Sequence, residues 1–145
     1  MAIELPGGLN PLELPVPDYL MNELHREYRD AKFFFSSTST LSTSMLYLPS
    51  NSQSVSSADL KNKAKQFVKV VSNALDPKAK YSAELTGKST VSLRASYTVA
   101  AESFEMVGSM QSRGRDIWLV EATYRPSDET ARAAARRIVN SVTMY

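Results

Sequence analysis

A run of strand patterns between residues 81 and 124 constrains the fold more than any other feature of the sequence. The clearest pattern covers residues 91–99, where apolar and polar residues alternate at every step. Such alternation predicts a β-strand with one buried face and one solvated face. Because no helical pattern separates the strands of this run, they do not fit parallel βαβ units. We therefore predict an α+β fold, in which a mostly antiparallel sheet is covered by helices.

The other strands of this run follow from similar patterns. Residues 81–85 alternate up to a glycine turn, and residues 104–110 alternate with Gly108 as a predicted bulge. Residues 112–116, Ser-Arg-Gly-Arg-Asp, predict a hairpin turn. Residues 117–124 include apolar residues at both odd and even positions, which is typical of a central strand that is covered on both faces.

Two later segments have the period of amphipathic helices. We predict the first over residues 57–75, with Ser56 or Ser57 as its N-cap. We predict the second near the C-terminus, with Ser127 as its N-cap. Their apolar stripes are Leu60, Ala64, Phe67, Val71 and Leu75 in the first, and Ala131, Ala134, Ala135, Ile138, Val139 and Val142 in the second.

The N-terminal third begins with a proline-rich stretch, residues 1–17, which predicts an extended lead-in. A helix is predicted over residues 19–30, and strands near residues 32–37 and 41–48. The predicted order is therefore α-β-β-α-β-β-β-β-α, in a single domain that covers residues 18–145.

Composition and charge exclude several classes of function. The formal net charge is +2, too small to indicate a nucleic-acid partner, and the basic residues concentrate in residues 58–80. No apolar run approaches the roughly 18 residues of a membrane span. The absence of cysteine excludes disulfides and thiolate zinc sites and fits either redox compartment. The start of the chain lacks the features of a signal peptide. We expect the bacterial periplasm or cell envelope if a leader was removed, and the cytoplasm otherwise.

The sequence also lacks a recognisable catalytic motif. His25 is the one histidine, and no carboxylate is predicted on its helix face to orient it as a base. Gly87-Lys88-Ser89 resembles the end of a phosphate loop, but Ser82 stands where that loop needs its first glycine. Glu121 is predicted to pair with an arginine such as Arg94. We therefore predict no catalytic residue, no metal and no cofactor.

Two sets of residues are candidates for binding. Lys61, Lys65 and Lys69 recur at helical spacing and form a basic stripe, which indicates either phosphate or acidic-partner binding or a solvated helix face. Trp118 and Tyr124 share strand parity, so they fall on one sheet face. They line either a ligand groove or a packed core.

The second half of the chain resembles the PsbP-like/DcrB-like superfamily. The resemblance lies in residues 117–124, Ile-Trp-Leu-Val-Glu-Ala-Thr-Tyr, and in residues 138–142, Ile-Val-Asn-Ser-Val, which end a capped helix. Residues 14–24 resemble the opening element of that superfamily, with Tyr19 and Leu20 where tryptophan is typical. Its members are small α/β domains, including exported lipoproteins, photosystem accessory proteins, a Ran-binding nuclear factor and chaperones for type VI secretion effectors. The resemblance implies non-catalytic protein binding and assigns no functional residue.

These observations favour a protein-binding accessory or chaperone module. The predicted partner is another protein, whose identity the sequence does not give, and not a nucleic acid. No membrane span is predicted, and a second copy of this chain is an alternative partner. The alternative is a carrier of a small molecule or lipid, in a cavity between sheet and helices. A hydrolase of unrecognised type is the third hypothesis.

Overall fold

A computed structural model describes residues 12–15, 31–49 and 55–141. The predicted helix over residues 19–30, together with His25, lies outside these residues. The described part of the chain forms seven strands and two helices. The strands are β1 (Leu12–Leu14), β2 (Lys32–Ser37), β3 (Leu41–Pro49), β4 (Lys80–Leu85), β5 (Thr90–Val99), β6 (Glu102–Arg113) and β7 (Asp116–Tyr124), and the helices are α1 (Ser57–Leu75) and α2 (Glu129–Asn140).

The strands form one antiparallel sheet in the order β1-β2-β3-β7-β6-β5-β4. This confirms the α+β class and the antiparallel sheet, and β7 is the central strand as predicted. The element order differs at the start of the chain, because residues 12–14 of the predicted lead-in form the edge strand β1. Pro15 follows this strand directly, and prolines are tolerated at sheet edges because an edge strand has spare backbone donors.

The two helices lie on opposite faces of the sheet, which we call the α1 face and the α2 face. On the α1 face, the apolar stripe of α1 packs against a core that includes Leu93, Met110 and Leu119. On the α2 face, α2 packs against Val120 and Ala122 of β7. Because successive residues of β7 point to opposite faces, this one strand contributes to both cores.

Most described members of the two predicted stripes are buried, but Leu75 is exposed and Ala134 is only half-buried against the α2 core. Leu75, predicted as the last member of the α1 stripe, is 46% exposed because it lies in the final turn. Ala131, Ala135, Ile138 and Val139 of α2 are buried, whereas Val142 lies outside the described residues. Neither described helix is long and apolar enough to cross a membrane.

The N-caps explain where the helices begin. The Ser56 hydroxyl accepts a hydrogen bond from the backbone N–H of Asp59 at 3.1 Å, as predicted for α1. The predicted Ser127 cap of α2 is wrong by one residue. The Asp128 carboxylate caps α2 by accepting from the N–H of Ala131 at 2.9 Å, because Asp128 directly precedes the first helical residue.

Two of the hairpin turns, β5–β6 and β6–β7, use residues with positive φ. The predicted turn between β6 and β7 is confirmed, with Gly114 at φ +60°. The turn between β5 and β6 consists of Ala100 and Ala101, at φ +50° and +66°. Two-residue hairpins favour such angles, but a Cβ makes them unfavourable. These alanines are therefore held in place by the strand pairing on either side.

Gly108 does not form the predicted bulge. It pairs in continuous register with Leu93 on β5 and Glu121 on β7. A Cβ at this position would lie 3.1 Å from the carbonyl oxygen of Val120 and 3.4 Å from the Cβ of Leu93. The glycine therefore permits close packing in an unbroken strand.

Candidate functional site

Part of the α2 face of the sheet is not covered by either described helix. Helix α1 contacts β4, β5 and β6, whereas α2 contacts β7, β6 and β3. Neither described helix therefore covers β4 and β5 on the α2 face. The polar residues of the alternating β5 pattern, including Arg94 and Ser96, point to this face.

A groove of about 470 Å³ lies between this open sheet surface and α2. We call it the basic groove, because its lining includes the cationic side chains of Lys80, Arg94, Arg132 and Arg136. Glu105 supplies the one carboxylate of its lining. The four cations thus exceed the acidic charge by three, so the field in the groove favours an anionic ligand.

A hydrogen-bonded cluster fixes the inner wall of the basic groove. The Tyr124 hydroxyl donates to Oε2 of Glu105 at 2.9 Å, and Nη2 of Arg132 lies 3.6 Å from the same oxygen. Nη2 of Arg132 also donates to the carbonyl oxygen of Pro126 at 2.7 Å. Burial, and secondly the hydrogen bond to Glu105, raise the pKa of Tyr124. The hydroxyl therefore stays protonated at neutral pH and acts as a donor.

The remaining cations of the basic groove face solvent. Lys80, Arg94 and Arg136 are exposed, and within the described part of the chain none of them forms an ion pair. The Nε of Arg132 is buried and lacks a hydrogen-bond partner among the described residues. Among the described residues, the groove therefore combines a fixed wall with three exposed cations that have no acidic partner.

A second groove of about 380 Å³ lies on the opposite face, between α1 and the edge of the sheet. We call it the α1 groove, and its lining includes Lys65, Lys69 and Tyr81. The predicted stripe of Lys61, Lys65 and Lys69 is exposed along its length, as a solvated helix face requires. Two of its three lysines line the groove. Tyr81 borders both grooves, so β4 lies between two positively charged surfaces.

The other predicted binding pair is not brought together. Trp118 and Tyr124 lie on the α2 face, as their parity predicts. They are six residues apart on β7, which separates them by roughly 20 Å along an extended strand. Trp118 packs against Tyr47 with their rings tilted by 32° and their centroids 4.4 Å apart, whereas Tyr124 lines the basic groove. They therefore do not line one common groove.

The predicted pairing of Glu121 with Arg94 is wrong, because the two side chains lie on opposite faces of the sheet. Glu121 is on the α1 face and only 8% exposed. Among the described residues its partner is Ser44, whose Oγ donates to Oε1 of Glu121 at 3.5 Å. Burial raises the pKa of this carboxyl to about 7, and the hydrogen bond from Ser44 opposes the shift. Glu121 does not line either groove.

The cations of the basic groove can bind an anion electrostatically. The described residues contain no group of three histidine, cysteine, aspartate or glutamate side chains that could hold a metal ion. No model of a known protein family matches the chain, and no curated protein matches it significantly. The resemblance to the PsbP-like/DcrB-like superfamily stays a prediction from element order and C-terminal pattern.

The sequence contained part of the pattern that builds the basic groove. Arg132 and Arg136 are four residues apart on one helix, which places them on the same side of α2. Arg94 lies on the polar side of a strongly alternating strand. Their convergence with Lys80 depends on how α2 packs across the sheet, which no local pattern indicates.

Proposed function

We propose that this protein is a non-catalytic binding module that holds an acidic region of another protein, as an accessory protein or chaperone does. The basic groove is the observation that supports this proposal. Its four cations project from β4, β5 and α2, so their spacing is set by rigid elements rather than by a loop. Preorganised charges of one sign favour a partner of the opposite sign and accelerate its association.

The open shape of the groove supports a polypeptide partner. The groove reaches the sheet edge at Lys80 and Tyr81, so a chain longer than the groove can enter and leave it. A carrier of a small anion is the second candidate, because about 470 Å³ lies within the ordinary size range of ligand pockets. A lipid tail has less support, since charged side chains dominate the groove.

Binding of defined anions tests this proposal. Isothermal titration calorimetry would compare a twelve-residue oligoglutamate peptide with a twelve-residue oligothymidylate and with inorganic pyrophosphate, at low and at physiological salt. We expect the peptide to bind most tightly, with affinity that falls as salt rises. Equal or tighter binding of the oligonucleotide would contradict the acidic-protein proposal. Tight binding of pyrophosphate alone would favour the small-anion carrier.

A pair of charge-matched variants locates the binding site. Arg94→Glu with Arg136→Glu reverses two exposed cations of the basic groove. Arg113→Glu with Arg115→Glu changes the net charge equally at the exposed β6–β7 turn. We expect the groove pair to weaken peptide binding at least about tenfold, or roughly 1.4 kcal/mol, and the turn pair to weaken it much less. Equal losses would mean that binding follows net charge, which would refute a site in the groove.

A further inference from the structure

Strand β4 is an edge of the sheet that the described residues form. It occupies the last position in the strand order, so one side of it is not paired with any described strand. Lys80, Ser82, Glu84 and Leu85 are exposed, and Leu85 retains 40% of its accessible surface. An unpaired edge of this kind offers a row of N–H and C=O groups to another extended chain.

The hydrogen bonds of the neighbouring turn show which backbone groups point outward. The N–H of Thr86 donates to the carbonyl oxygen of Thr90 at 3.0 Å, so these residues form a hydrogen-bonded pair of the β4–β5 hairpin. Such pairs alternate with non-bonded pairs in antiparallel strands. The backbone groups of Tyr81, Ala83 and Leu85 therefore point away from β5. Together they offer three N–H donors and three C=O acceptors along the edge.

The two ends of the sheet are protected to different degrees. The opposite edge, β1, has three residues and is followed by Pro15, and short strands and prolines discourage further pairing. Strand β4 has six residues, contains no proline and pairs with β5 in unbroken register. Its first residue, Lys80, would repel a basic strand and attract an acidic one.

The grooves on both sides of β4 indicate which side chains an added strand would carry. Side chains of an extended chain point alternately to the two faces of a sheet. On the α2 face they would approach Lys80 and the rest of the basic groove. On the α1 face they would approach Lys65 and Lys69. Glu84 repels acidic side chains at the far end of β4, so acidic contacts concentrate at the Lys80 end.

We propose that β4 binds an acidic, extended segment of the partner protein as an eighth strand of the sheet. The backbone groups of Tyr81, Ala83 and Leu85 hydrogen-bond to the segment, and the two grooves bind its side chains. This mode of recognition takes affinity from main-chain hydrogen bonds and specificity from alternate side chains. The inference rests on the proposed function, because it presumes an acidic protein segment as the ligand.

A proline at position 83 tests the main-chain hydrogen bonds. Ala83→Pro removes an outward N–H and leaves the hydrogen bonds to β5 in place, whereas Ala83→Ser retains the N–H at the same site. The probe is a fluorescent eight-residue peptide that alternates threonine and glutamate, with an alternating threonine–lysine peptide as its charge control. Fluorescence anisotropy of the full chain measures binding, and circular dichroism checks the fold of each variant.

We expect Ala83→Pro to weaken binding of the acidic peptide about tenfold or more, because it removes a donor and obstructs the edge. Ala83→Ser should change binding by less than about threefold. Hydrogen exchange supplies a readout on the unmodified protein. Saturating peptide should slow exchange at the amides of Tyr81, Ala83 and Leu85. If Ala83→Pro fails to fold, the unmodified protein is tested with two N-methylated acidic peptides instead. One carries N-methyl groups at its odd-numbered residues and the other at its even-numbered residues, and at least one of the two should lose binding.

The outcomes separate this inference from the proposed function. Peptide binding that is weakened by the Arg94/Arg136 reversal but is unaffected by Ala83→Pro, without slowed exchange at β4, would overturn strand addition and leave the binding module intact. Failure of every acidic peptide to bind the unmodified protein would overturn both. Equal binding of the threonine–lysine peptide would overturn the acidic specificity.

Discussion

The buried carboxyl of Glu121 makes the stability of this protein depend on pH. We predict that Glu121→Gln removes most of that dependence between pH 5 and pH 8. Glu121 is 8% exposed, and its one described partner is the Ser44 hydroxyl at 3.5 Å. Glutamine has nearly the same shape and can still accept a hydrogen bond from Ser44, but it carries no charge to desolvate.

The sign and size of this pH dependence of stability follow from the pKa of Glu121, which burial raises from 4.5 to about 7 in the folded protein. Below pH 4.5 the carboxyl is protonated in both the folded and the unfolded chain. As pH rises from 4.5 to 7, the unfolded chain releases the proton first, so the free energy of unfolding falls. The complete loss is about 3 kcal/mol, and about 2 to 3 kcal/mol of it falls between pH 5 and pH 8.

Urea denaturation at pH 5 and pH 8 measures this effect. The unmodified protein should lose about 2 to 3 kcal/mol more than Glu121→Gln between the two pH values. Glu84→Gln removes a carboxylate from an exposed site and so controls for the change in net charge. The pKa of Asp76 is lowered by hydrogen bonds from the N–H groups of Thr98 and Lys78, so its titration lies below this window. Parallel stability curves for Glu121→Gln and the unmodified protein would refute the argument from burial.

Three further variants test the packing and the surface. Ala101→Gly should raise the free energy of unfolding by roughly 0.5–1 kcal/mol, because glycine tolerates the φ of +66° at this position. Ile138→Asp should abolish cooperative unfolding or lower its free energy by more than about 4 kcal/mol, because Ile138 is 1% exposed. Replacing Lys61, Lys65 and Lys69 together with glutamate should change stability by less than about 1 kcal/mol, since exposed charges contribute little. Chemical denaturation measures all three.

Matched variants control two of these experiments. Gly114→Ala places a Cβ at φ +60° in the β6–β7 turn. It should lower the free energy of unfolding by about 1 kcal/mol, the opposite of Ala101→Gly. Asn140→Asp introduces the same charge as Ile138→Asp on an exposed position of α2 and should be tolerated. A destabilised Ala101→Gly, or a fully stable Ile138→Asp, would contradict the conformation and packing described above.

Features that depend only on residues close together in the sequence could be predicted without the structure. The alternation of β5 and the stripe of α2 are local periodicities, and each identifies both the element and its buried face. The apolar composition of β7 at both parities predicted a central strand, which lies between the cores of α1 and α2. The same sequence patterns located the ends of helices less accurately. Ser127 and Asp128 are both suitable caps, and their side chains alone do not decide which one precedes the helix.

The residues that come together in the candidate site could be identified only from the tertiary structure. Strand β3 pairs with β7, which brings Ser44 to Glu121 across 77 residues of sequence. Sheet parity places Glu121 and Arg94 on opposite faces, and this excludes the ion pair that their charges suggested. Lys80 and Arg94 converge with two arginines of α2 because that helix packs over β7 and β6 and not over β4 and β5. Sequence periodicity fixes the face on which a side chain lies, but the neighbours of that side chain depend on strand order and helix placement, which long-range packing determines.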